Sequence, residues 1–452
     1  MIAPARVAAY EVLSAVSAGN ADLPSAIASA RENLRDDRDR ALAAEIATGV
    51  QRWRATLDHL IVQFSRRSLE RLDLEVVEIL RLSAYQILHL TRVPASAIVD
   101  DAVDLTRRAG KQSASGFVNA VLREISRKRH MLPLPPRPAD PADREAALAY
   151  LSIVLSHPRW LAARWFDRLG FEAAEAWMRF NNAPAPVTLR TNTIKTTTAA
   201  LTERLADDGI QVRRARFAPD ALVVDAGHPL RSTAYQEGLF VVQDEASQLV
   251  ALLAATNPGG RVLDTCASPG GKATAIAAAM NGRGLLVACD LRPRRVDLLR
   301  HTIAASGAVN VRIVRADLMT PLPFSQPFDT VIVDAPCSGL GTLRRDPDIR
   351  WRRREGDLTA LAAAESTMVT HAAAAVAPGG RLIYATCSSE PDENEAVVDA
   401  FLERTPGFEP VDARAVAPAL PLQVVDARGR LHTRPDQHEL EAFFAAVWQR
   451  LA

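Results

Sequence analysis

Apolar residues recur at helical spacing throughout the first 130 residues of the chain. They mark one face of a helix between residues 7 and 16, and again between residues 42 and 53 and between residues 76 and 87. Strand-type alternation is absent from this region, and Pro94 and Gly110 interrupt the later helical stretches. We therefore predict an all-helical domain over residues 1–130.

The pattern changes after residue 130. Five prolines fall within MLPLPPRPADPAD at 131–143, and because proline fixes φ and removes an amide donor, residues 131–146 are predicted to form a semi-rigid linker. Residues 147–240 begin with a helical stretch from Trp160 to Phe180, whose tryptophans we assign to a core. The segments VTLRTNTI, TTTAALTERLADDGI, QVRRARF and ALVVDA then read as strand, helix, strand and strand. This part is predicted to be a small α+β connector.

Short apolar strands alternate with helical segments over residues 241–452. The five strand candidates are RVLDTC, GLLVACD, VRIVRAD, FDTVIVDA and GRLIYATC, and FFAAVWQR near the end of the chain is a sixth. Alternation of this kind is typical of a mostly parallel sheet with helices on both faces. We predict a multidomain protein that ends in an α/β, Rossmann-like domain.

Composition excludes several classes of protein. The chain has 452 residues, of which 48% are hydrophobic and 24% charged, which is ordinary for a globular protein. The net charge of +1 does not indicate a nucleic-acid binder, although a local basic patch remains compatible with it. No run of 18 apolar residues and no signal-peptide pattern occurs. We expect a soluble, cytoplasmic monomer with no membrane partner.

A glycine-rich loop follows the first predicted strand of the α/β domain and leads into a helix. Glycines allow a ligand to approach the backbone closely, and a helix N-terminus offers free amide groups. The loop is neither G-x-G-x-x-G nor a P-loop, which weighs against a nicotinamide oxidoreductase. Lys272 is one of four lysines among fifty arginines. The predicted cofactor-binding residues of the loop are Cys266, Ala267, Ser268, Pro269, Gly270, Gly271 and Lys272.

Three aspartates follow at the ends of successive predicted strands. Asp290 is placed to accept hydrogen bonds from ribose hydroxyls, and Asp317 from an exocyclic amine of adenine. Asp334 ends the fourth strand. One such aspartate is common as a helix cap. Three in order beside the glycine loop favour a nucleoside-containing cofactor.

Two of the four cysteines also open toward this edge of the sheet. Cys337 and Cys387 each follow a predicted strand, which suggests nucleophilic chemistry. The alternatives are inert buried thiols or a disulfide, and a reducing compartment disfavours the disulfide. Cys289 lies within a strand and is assigned to packing, as Cys266 is in part. No C-x-x-C pair occurs, and no metal site is expected.

An arginine-rich stretch follows Cys337, with six arginines and one tryptophan between residues 343 and 354. Basic residues with an aromatic ring suit phosphate contact and base stacking. A solvated helix face, paired with Asp346 and Asp348, explains the pattern equally well. The residues tentatively assigned to RNA binding are Arg344, Arg345, Arg350 and Trp351.

Three motifs make the chain resemble a known superfamily. CASPGGK, VDAPCSGLGTLRRDPDIRW and ATCSSEPDENE are similar to the signature motifs of RNA cytosine-C5 methyltransferases, which use S-adenosylmethionine. The helical region ending in GFVNAVLREISRK resembles the NusB antitermination factor, an RNA-binding fold. The combination resembles the bacterial Sun/Fmu family, which methylates cytosine in 16S ribosomal RNA.

The resemblance implies a role for each cysteine. Cys387 would attack C6 of cytosine, and Cys337 would help to release the product by assisting proton removal at C5. The glycine loop and the three aspartates would hold S-adenosylmethionine, and the RNA substrate would be 16S rRNA not yet fully assembled. The alternatives are the same reaction on tRNA or another RNA, and a non-catalytic RNA-binding assembly factor.

One segment departs from the family pattern. Relatives commonly carry His-Gly-x-Asp-Gly-Phe-Phe, whereas residues 438–444 of this chain read HELEAFF. Because glycine permits unusual dihedral angles, the loss of both glycines puts the local turn in doubt.

Overall fold

The structure is a computed structural model that describes residues 2–254 and 258–452. The chain forms two compact units. The first comprises the residues up to Ala183 together with Leu343–Arg353, and the second comprises Pro184–Thr342 and Arg354–Ala452. These units do not coincide with the divisions predicted at residues 130, 146 and 240. The helical half of the predicted connector belongs to the first unit, and its strands belong to the second.

The first unit is helical, as its periodicity predicts. Its helices α1–α9 span Pro4–Ser17, Leu23–Asn33, Asp37–Ser65, Leu74–His89, Ala95–Arg108, Ser115–Arg127, Arg144–Ala149, Arg159–Leu169 and Phe171–Asn182. Leu13, Ile46 and Leu80 are fully buried in one core shared by α1 to α6. The aspartates Asp22 and Asp36 accept hydrogen bonds from backbone amides at the starts of α2 and α3 and so cap these helices.

The predicted helix from Trp160 to Phe180 is interrupted. Gly170 adopts φ +79°, which ends α8 and starts α9. Trp165 and Trp177 are buried against each other, with ring centroids 5.3 Å apart, so the assignment to the core is confirmed for these two. Trp160 is only half-buried. The proline-rich segment contains no helix or strand. Arg137 within it forms ion pairs with Glu172 and Glu175 of α9, which hold the segment against that helix.

The second unit begins with a small antiparallel sheet. Its strands β1–β4 span Thr188–Thr191, Gln211–Arg214, Ala221–Ala226 and Phe240–Val242. They lie in the order β2-β3-β1-β4. Asn192 donates hydrogen bonds to the carbonyl of Gly238, just before β4, and to that of Ser306 in the helix Pro293–Ser306; the second bond joins the end of β1 to the larger part of the unit.

The larger sheet carries the predicted α/β pattern. Its strands β5–β12 span Arg261–Asp264, Leu285–Asp290, Val311–Arg315, Phe328–Asp334, Val376–Thr386, Phe408–Val411, Leu431–His432 and Phe444–Arg450. The order is β10-β12-β9-β8-β5-β6-β7, with β11 beside β12. Strands β5 to β9 are parallel, and β12 runs antiparallel between β9 and β10. All six predicted strands are present. The short strands β10 and β11 were not predicted.

Helices cover both faces of this sheet. Helices α10–α19 follow in chain order at Thr198–Asp207, Thr233–Gln236, Glu245–Leu253, Gly271–Ala279, Pro293–Ser306, Ile349–Arg352, Asp357–Ala374, Glu395–Arg404, Ala413–Val416 and Pro435–His438. Of these, α15 belongs to the first unit. Neighbouring residues of one strand face opposite sides: Val262 packs with α12–α14, whereas Leu263 packs on the side of α16 and α17. In the described parts of the chain no helix has the length and hydropathy needed to cross a membrane.

Candidate active site

A cavity of about 520 Å³ lies at the carboxyl ends of the parallel strands. Ligands of open α/β sheets bind at this edge. Eight of the predicted site residues line the cavity: Cys266, Ser268, Lys272, Asp290, Asp317, Asp334, Cys337 and Cys387. The structure therefore brings the loop, the three aspartates and the two cysteines of the sequence motifs to one place.

The loop after β5 is tied to both neighbouring strands. The Thr265 amide donates to the carbonyl of Ile332 at 3.0 Å, and the Ala267 amide donates to that of Cys289 at 2.7 Å. Gly270 adopts φ +109° at the start of α13, a conformation that favours glycine. Ala267, Pro269, Gly270 and Gly271 shape this loop but do not line the cavity.

Lys272 forms an ion pair with Asp334. Its Nζ atom lies 2.6 Å from Oδ2 of Asp334 and 5.5 Å from the centroid of the Phe443 ring. Burial lowers the pKa of Lys272, but the attraction of Asp334 outweighs it and raises the pKa above its ordinary value. Lys272 is therefore a fixed positive charge inside the cavity.

Asp290 is held by an arginine that sequence reasoning missed. Arg295 Nε donates to Oδ2 of Asp290 at 3.1 Å, and its Nη2 donates to the carbonyl of Ser268 at 2.6 Å. This arginine thus links the glycine loop to the end of β6. Asp317 accepts a hydrogen bond from the Met319 amide at 2.9 Å. One arginine among fifty gave no signal in the sequence, because its role depends on the fold.

A fourth aspartate lies beneath the cavity. Asp264 ends β5 and is buried, with 1% of its surface exposed. Burial, with repulsion from Asp334, raises the pKa of Asp264 to about 7. Its place at a strand end matches the pattern of the other three aspartates, so the pattern itself could have identified it.

The two motif cysteines meet. Their Sγ atoms lie 3.3 Å apart, and no disulfide joins them. The hydrogen bond to Cys387, together with burial, raises the pKa of Cys337 well above its ordinary value. Cys289 is fully buried in β6, and burial raises its pKa to about 12. Burial also raises the pKa of Cys266.

The loops that carry the cysteines approach each other closely. The Gly341 amide donates to the carbonyl of Cys387 at 2.9 Å. A Cβ atom at Gly341 would lie 2.0 Å from the carbonyl oxygen of Ala442 and 2.7 Å from that of Cys387. No side chain fits there, which explains the glycine four residues after Cys337.

The arginine-rich stretch packs within the helical unit. Arg350 is fully buried, and its guanidinium donates to the carbonyl of Ser156 and to Oδ1 of Asn182, each at 2.9 Å. The indole of Trp351 donates to the carbonyl of Gln51 at 2.6 Å, and the guanidinium of Arg54 lies 5.6 Å from the centre of its ring.

The expected RNA contact is therefore wrong for Arg350, whose donors are used inside the unit. Trp351 also has a packing role, and its stacking on a base stays a prediction. Arg344 lies over the ring of Phe180 at 4.4 Å, and Arg345 is half-buried. For Arg344 and Arg345 the RNA contact likewise stays a prediction.

The altered segment near the C-terminus keeps a tight turn. Glu439, at the first glycine position of the family pattern described above, adopts φ +58° and ψ +28°, so the left-handed conformation is present without glycine. The preceding His438 accepts a hydrogen bond from the Arg434 amide at 2.8 Å. Phe443, from the same segment, lines the cavity.

A Rossmann-like sheet with this cavity, in a chain that also contains a NusB-type helical unit, is typical of an RNA methyltransferase. Comparison with known families agrees. Residues 250–449 match the model of 16S rRNA methyltransferase RsmB/F, residues 3–127 the NusB family, and residues 157–231 the ferredoxin-like domain of RsmF/B-like methyltransferases. The chain belongs to the RsmB/F family of 16S rRNA methyltransferases.

Individual proteins show the same likeness. The chain is 34% identical over 410 residues to the ribosomal RNA small subunit methyltransferase B of Pseudomonas putida, covering 90% of this chain and 91% of that one. The crystal structure of PH0851 superposes over 100% of this chain and 99% of its own, with a TM-score of 0.81 and 24% identity. NSun6 from Pyrococcus horikoshii, solved with SFG, covers 66% of this chain and 100% of its own, with a TM-score of 0.59 and 18% identity.

Proposed function

We propose that the protein methylates C5 of a cytosine in 16S rRNA with S-adenosylmethionine as the methyl donor. One observation carries the proposal: the thiols of Cys337 and Cys387 lie 3.3 Å apart at the wall of a cavity that three carboxylates also line. A methyltransferase that alkylates a nucleophilic nitrogen or oxygen needs no thiol. The C5 atom of cytosine is a poor nucleophile and needs covalent activation.

The cavity fits a nucleoside with an amino acid attached. Its volume of about 520 Å³ lies within the range of small-molecule sites. Asp290 would accept from the ribose hydroxyls, and Asp317 from the amine of the adenine. When bound, S-adenosylmethionine supplies an electrophilic methyl group on a sulfonium. The NSun6 structure solved with SFG, an analogue of this donor, supports the assignment.

The two thiols would have different roles, Cys387 in attack on the ring and Cys337 in release of the product. The thiolate of Cys387 adds to C6 of the ring, which breaks the conjugation and moves an electron pair toward C5. Once C5 carries the methyl group, its proton must leave, and the electron pair of that C–H bond re-forms the double bond as the Cys387 thiolate is expelled. Cys337 assists this release. The hydrogen bond to Cys387, with burial, raises the pKa of Cys337. That bond is lost when Cys387 bonds to C6, so the Cys337 thiol can then release its own proton to water and accept the C5 proton as a thiolate.

Asp334, oriented by Lys272, would contact the cytosine ring. Asp334 lines the cavity together with both cysteines, so its carboxyl group can meet the N3 edge of the cytosine. Negative charge develops on that edge as Cys387 adds to C6, and a proton taken up from water at N3 neutralises it. The Asp334 carboxylate would accept a hydrogen bond from that N3–H group. The ion pair with Lys272 holds the carboxyl group in one orientation.

The target cytosine must be unpaired or flipped, because C6 cannot be reached inside a stacked helix. We propose 16S rRNA before full assembly as the substrate, bound by a monomer whose NusB-type unit, Arg344 and Arg345 contact the RNA backbone. Since such contacts release counterions, rising salt should weaken RNA binding steeply and binding of the methyl donor little.

Methyl-labelled S-adenosylmethionine and unmodified 16S rRNA test the proposal. Wild-type protein should place label in 5-methylcytidine after digestion of the RNA, and Cys387→Ala should place none. A tRNA pool serves as the competing substrate. Label in tRNA but not in 16S rRNA would move the assignment to tRNA. Tight binding of the methyl donor without label in either RNA would favour an assembly factor.

A further inference from the structure

A buried glutamate lies between the two loops that carry the cysteines. We propose that Glu393 is a positioning residue of the active site: its carboxylate holds the Cys337 loop against the Cys387 loop and so sets the distance between the two thiols. The geometric part of this inference stands by itself. Its catalytic consequence rests on the proposed function.

Glu393 contacts both loops at matching positions. Its Oε1 atom accepts a hydrogen bond from the Ser338 amide at 2.6 Å, and its Oε2 atom accepts one from the hydroxyl of Ser388. Each serine directly follows one of the cysteines in the chain. Because Glu393 is fully buried, water does not compete for these bonds.

The two serines complete a ring with defined proton directions. Their hydroxyls lie 3.1 Å apart. Ser388 gives its one hydroxyl proton to Glu393, so the proton between the hydroxyls comes from Ser338. The Ser388 oxygen also accepts from the Glu390 amide at 3.1 Å. Both carboxylate oxygens of Glu393 must therefore accept hydrogen bonds. A glutamine at this position would turn its NH2 group toward either the Ser338 amide or the Ser388 hydroxyl, each of which is itself a donor.

A second glutamate, Glu365, is linked to Glu393 through Tyr384. The hydroxyl of Tyr384 donates to the backbone carbonyl of Glu393 at 2.5 Å and lies 3.0 Å from Oε2 of Glu365. Burial, with repulsion from Glu393, raises the pKa of Glu365 to about 9. Glu365 is therefore protonated at neutral pH, and its Oε2 atom accepts from Tyr384. A glutamine at position 365 can make the same bond, which supplies a matched control.

A further bond limits the size of the expected effect. The Gly341 amide also joins the loops, through the carbonyl of Cys387. Loss of Glu393 should therefore loosen the pair of thiols without separating the loops completely. We expect a tenfold effect rather than the loss of all activity.

The distance between the thiols can be tested without RNA. Phenylarsine oxide bridges two adjacent thiols: arsenic stays trivalent, two As–S bonds form, and the oxygen leaves as water with the two thiol protons. Wild-type protein should bind one equivalent across Cys337 and Cys387, and Cys337→Ser should abolish the bridge. Glu393→Gln should weaken the bridge at least tenfold, whereas Glu365→Gln should stay within twofold of wild type.

Catalysis supplies the second readout. Glu393→Gln should lower kcat for methylation at least tenfold with KM for RNA within twofold, and should raise the fraction of protein in covalent adduct with RNA. If Glu393→Gln also lost binding of the methyl donor, the substitution would have disturbed the whole cavity, and a specific role in positioning the thiols would be contradicted. If Glu393→Gln does not fold, Ser388→Ala removes one arm of the ring and should weaken the arsenical bridge severalfold.

Two results would overturn the proposal. The first is that Glu393→Gln binds the arsenical across the two cysteines as tightly as wild type, or that Ser388→Ala does so where it replaces that variant. The second is that Glu365→Gln and Glu393→Gln weaken the arsenical bridge equally. If wild-type protein methylates no RNA but binds the arsenical as described, the proposed function fails while the role of Glu393 in setting the thiol distance stands.

Discussion

The ammonium of Lys272 donates a hydrogen bond of 2.6 Å to the carboxylate of Asp334 within the cavity that also contains both motif cysteines. The two side chains are 11% and 26% exposed, so the pair is largely shielded from water. Removing one partner leaves the other charge buried without compensation, which is more damaging than removing both. This pair therefore has a role in stability as well as in the proposed chemistry.

Lys272→Met should lower the free energy of unfolding by about 2 kcal/mol, less than the roughly 3–5 kcal/mol for a fully buried pair because Asp334 is 26% exposed. Addition of Asp334→Asn should recover more than half of that loss. Urea denaturation checks both. Lys111→Met, which removes an exposed ion pair with Asp73 and Glu75, should change stability by less than half as much as Lys272→Met. A double variant that is less stable than Lys272→Met would contradict the account.

The alkylation of Cys337 should depend on its partner. Because the hydrogen bond to Cys387 is the largest cause of its raised pKa, Cys337 should react slowly with iodoacetamide at pH 7.5 and faster as the pH rises. Cys387→Ala removes that cause, lowers the pKa of Cys337 and increases its thiolate fraction at a fixed pH. Peptide mass spectrometry should then show severalfold faster labelling of Cys337. Cys289→Ala should have no effect, and an unchanged rate in Cys387→Ala would contradict the assignment.

Arg350→Ala should destabilise the helical unit by about 3 kcal/mol, because it leaves a cavity and two buried acceptors without their donor. Thermal unfolding measures the loss. Arg354→Ala changes an exposed arginine four residues away and should stay within about 0.5 kcal/mol of wild type. If Arg350→Ala unfolds like wild type but binds RNA more weakly, Arg350 contacts RNA and the packing role is contradicted.

Glu439→Gly should stabilise the protein by about 0.5–1 kcal/mol. A residue other than glycine is strained at φ +58°, and glycine relieves the strain at a smaller entropic cost. Gln437→Gly lies in the same turn but at a helical position, where glycine should destabilise by about 1 kcal/mol. Opposite shifts in Tm for the two variants are expected. A loss of stability in Glu439→Gly would show that the turn is not strained.

Much of the fold could be predicted from the chain because its periodicities are strong. Helical spacing identified the first unit. Runs such as RVLDTC and FDTVIVDA identified parallel strands, whose side chains are buried on both faces of the sheet. The strands β10 and β11 escaped prediction because FEPV and LH are too short to show alternation. The break at Gly170 was missed because a single glycine is tolerated inside many helices.

The candidate site was partly predictable for a different reason. Residues at the ends of parallel strands must meet at one edge, so Asp290, Asp334 and the two cysteines could be placed together from order alone. Arg295 and Glu393 could not, because each acts through contacts made by residues distant in sequence. For Arg350, composition suggested exposure, but the buried acceptors around it decide its place.

The covalent adduct tests the central claim most directly. Cys337→Ala should accumulate a protein–RNA adduct when incubated with 16S rRNA and S-adenosylmethionine, because release is impaired while attack is not. The adduct should survive denaturing electrophoresis, and mass spectrometry should locate the modified cytosine on Cys387. It should be absent from the double variant that also carries Cys387→Ala. An adduct on any other residue, or methylation of C5 by Cys387→Ala, would contradict the account.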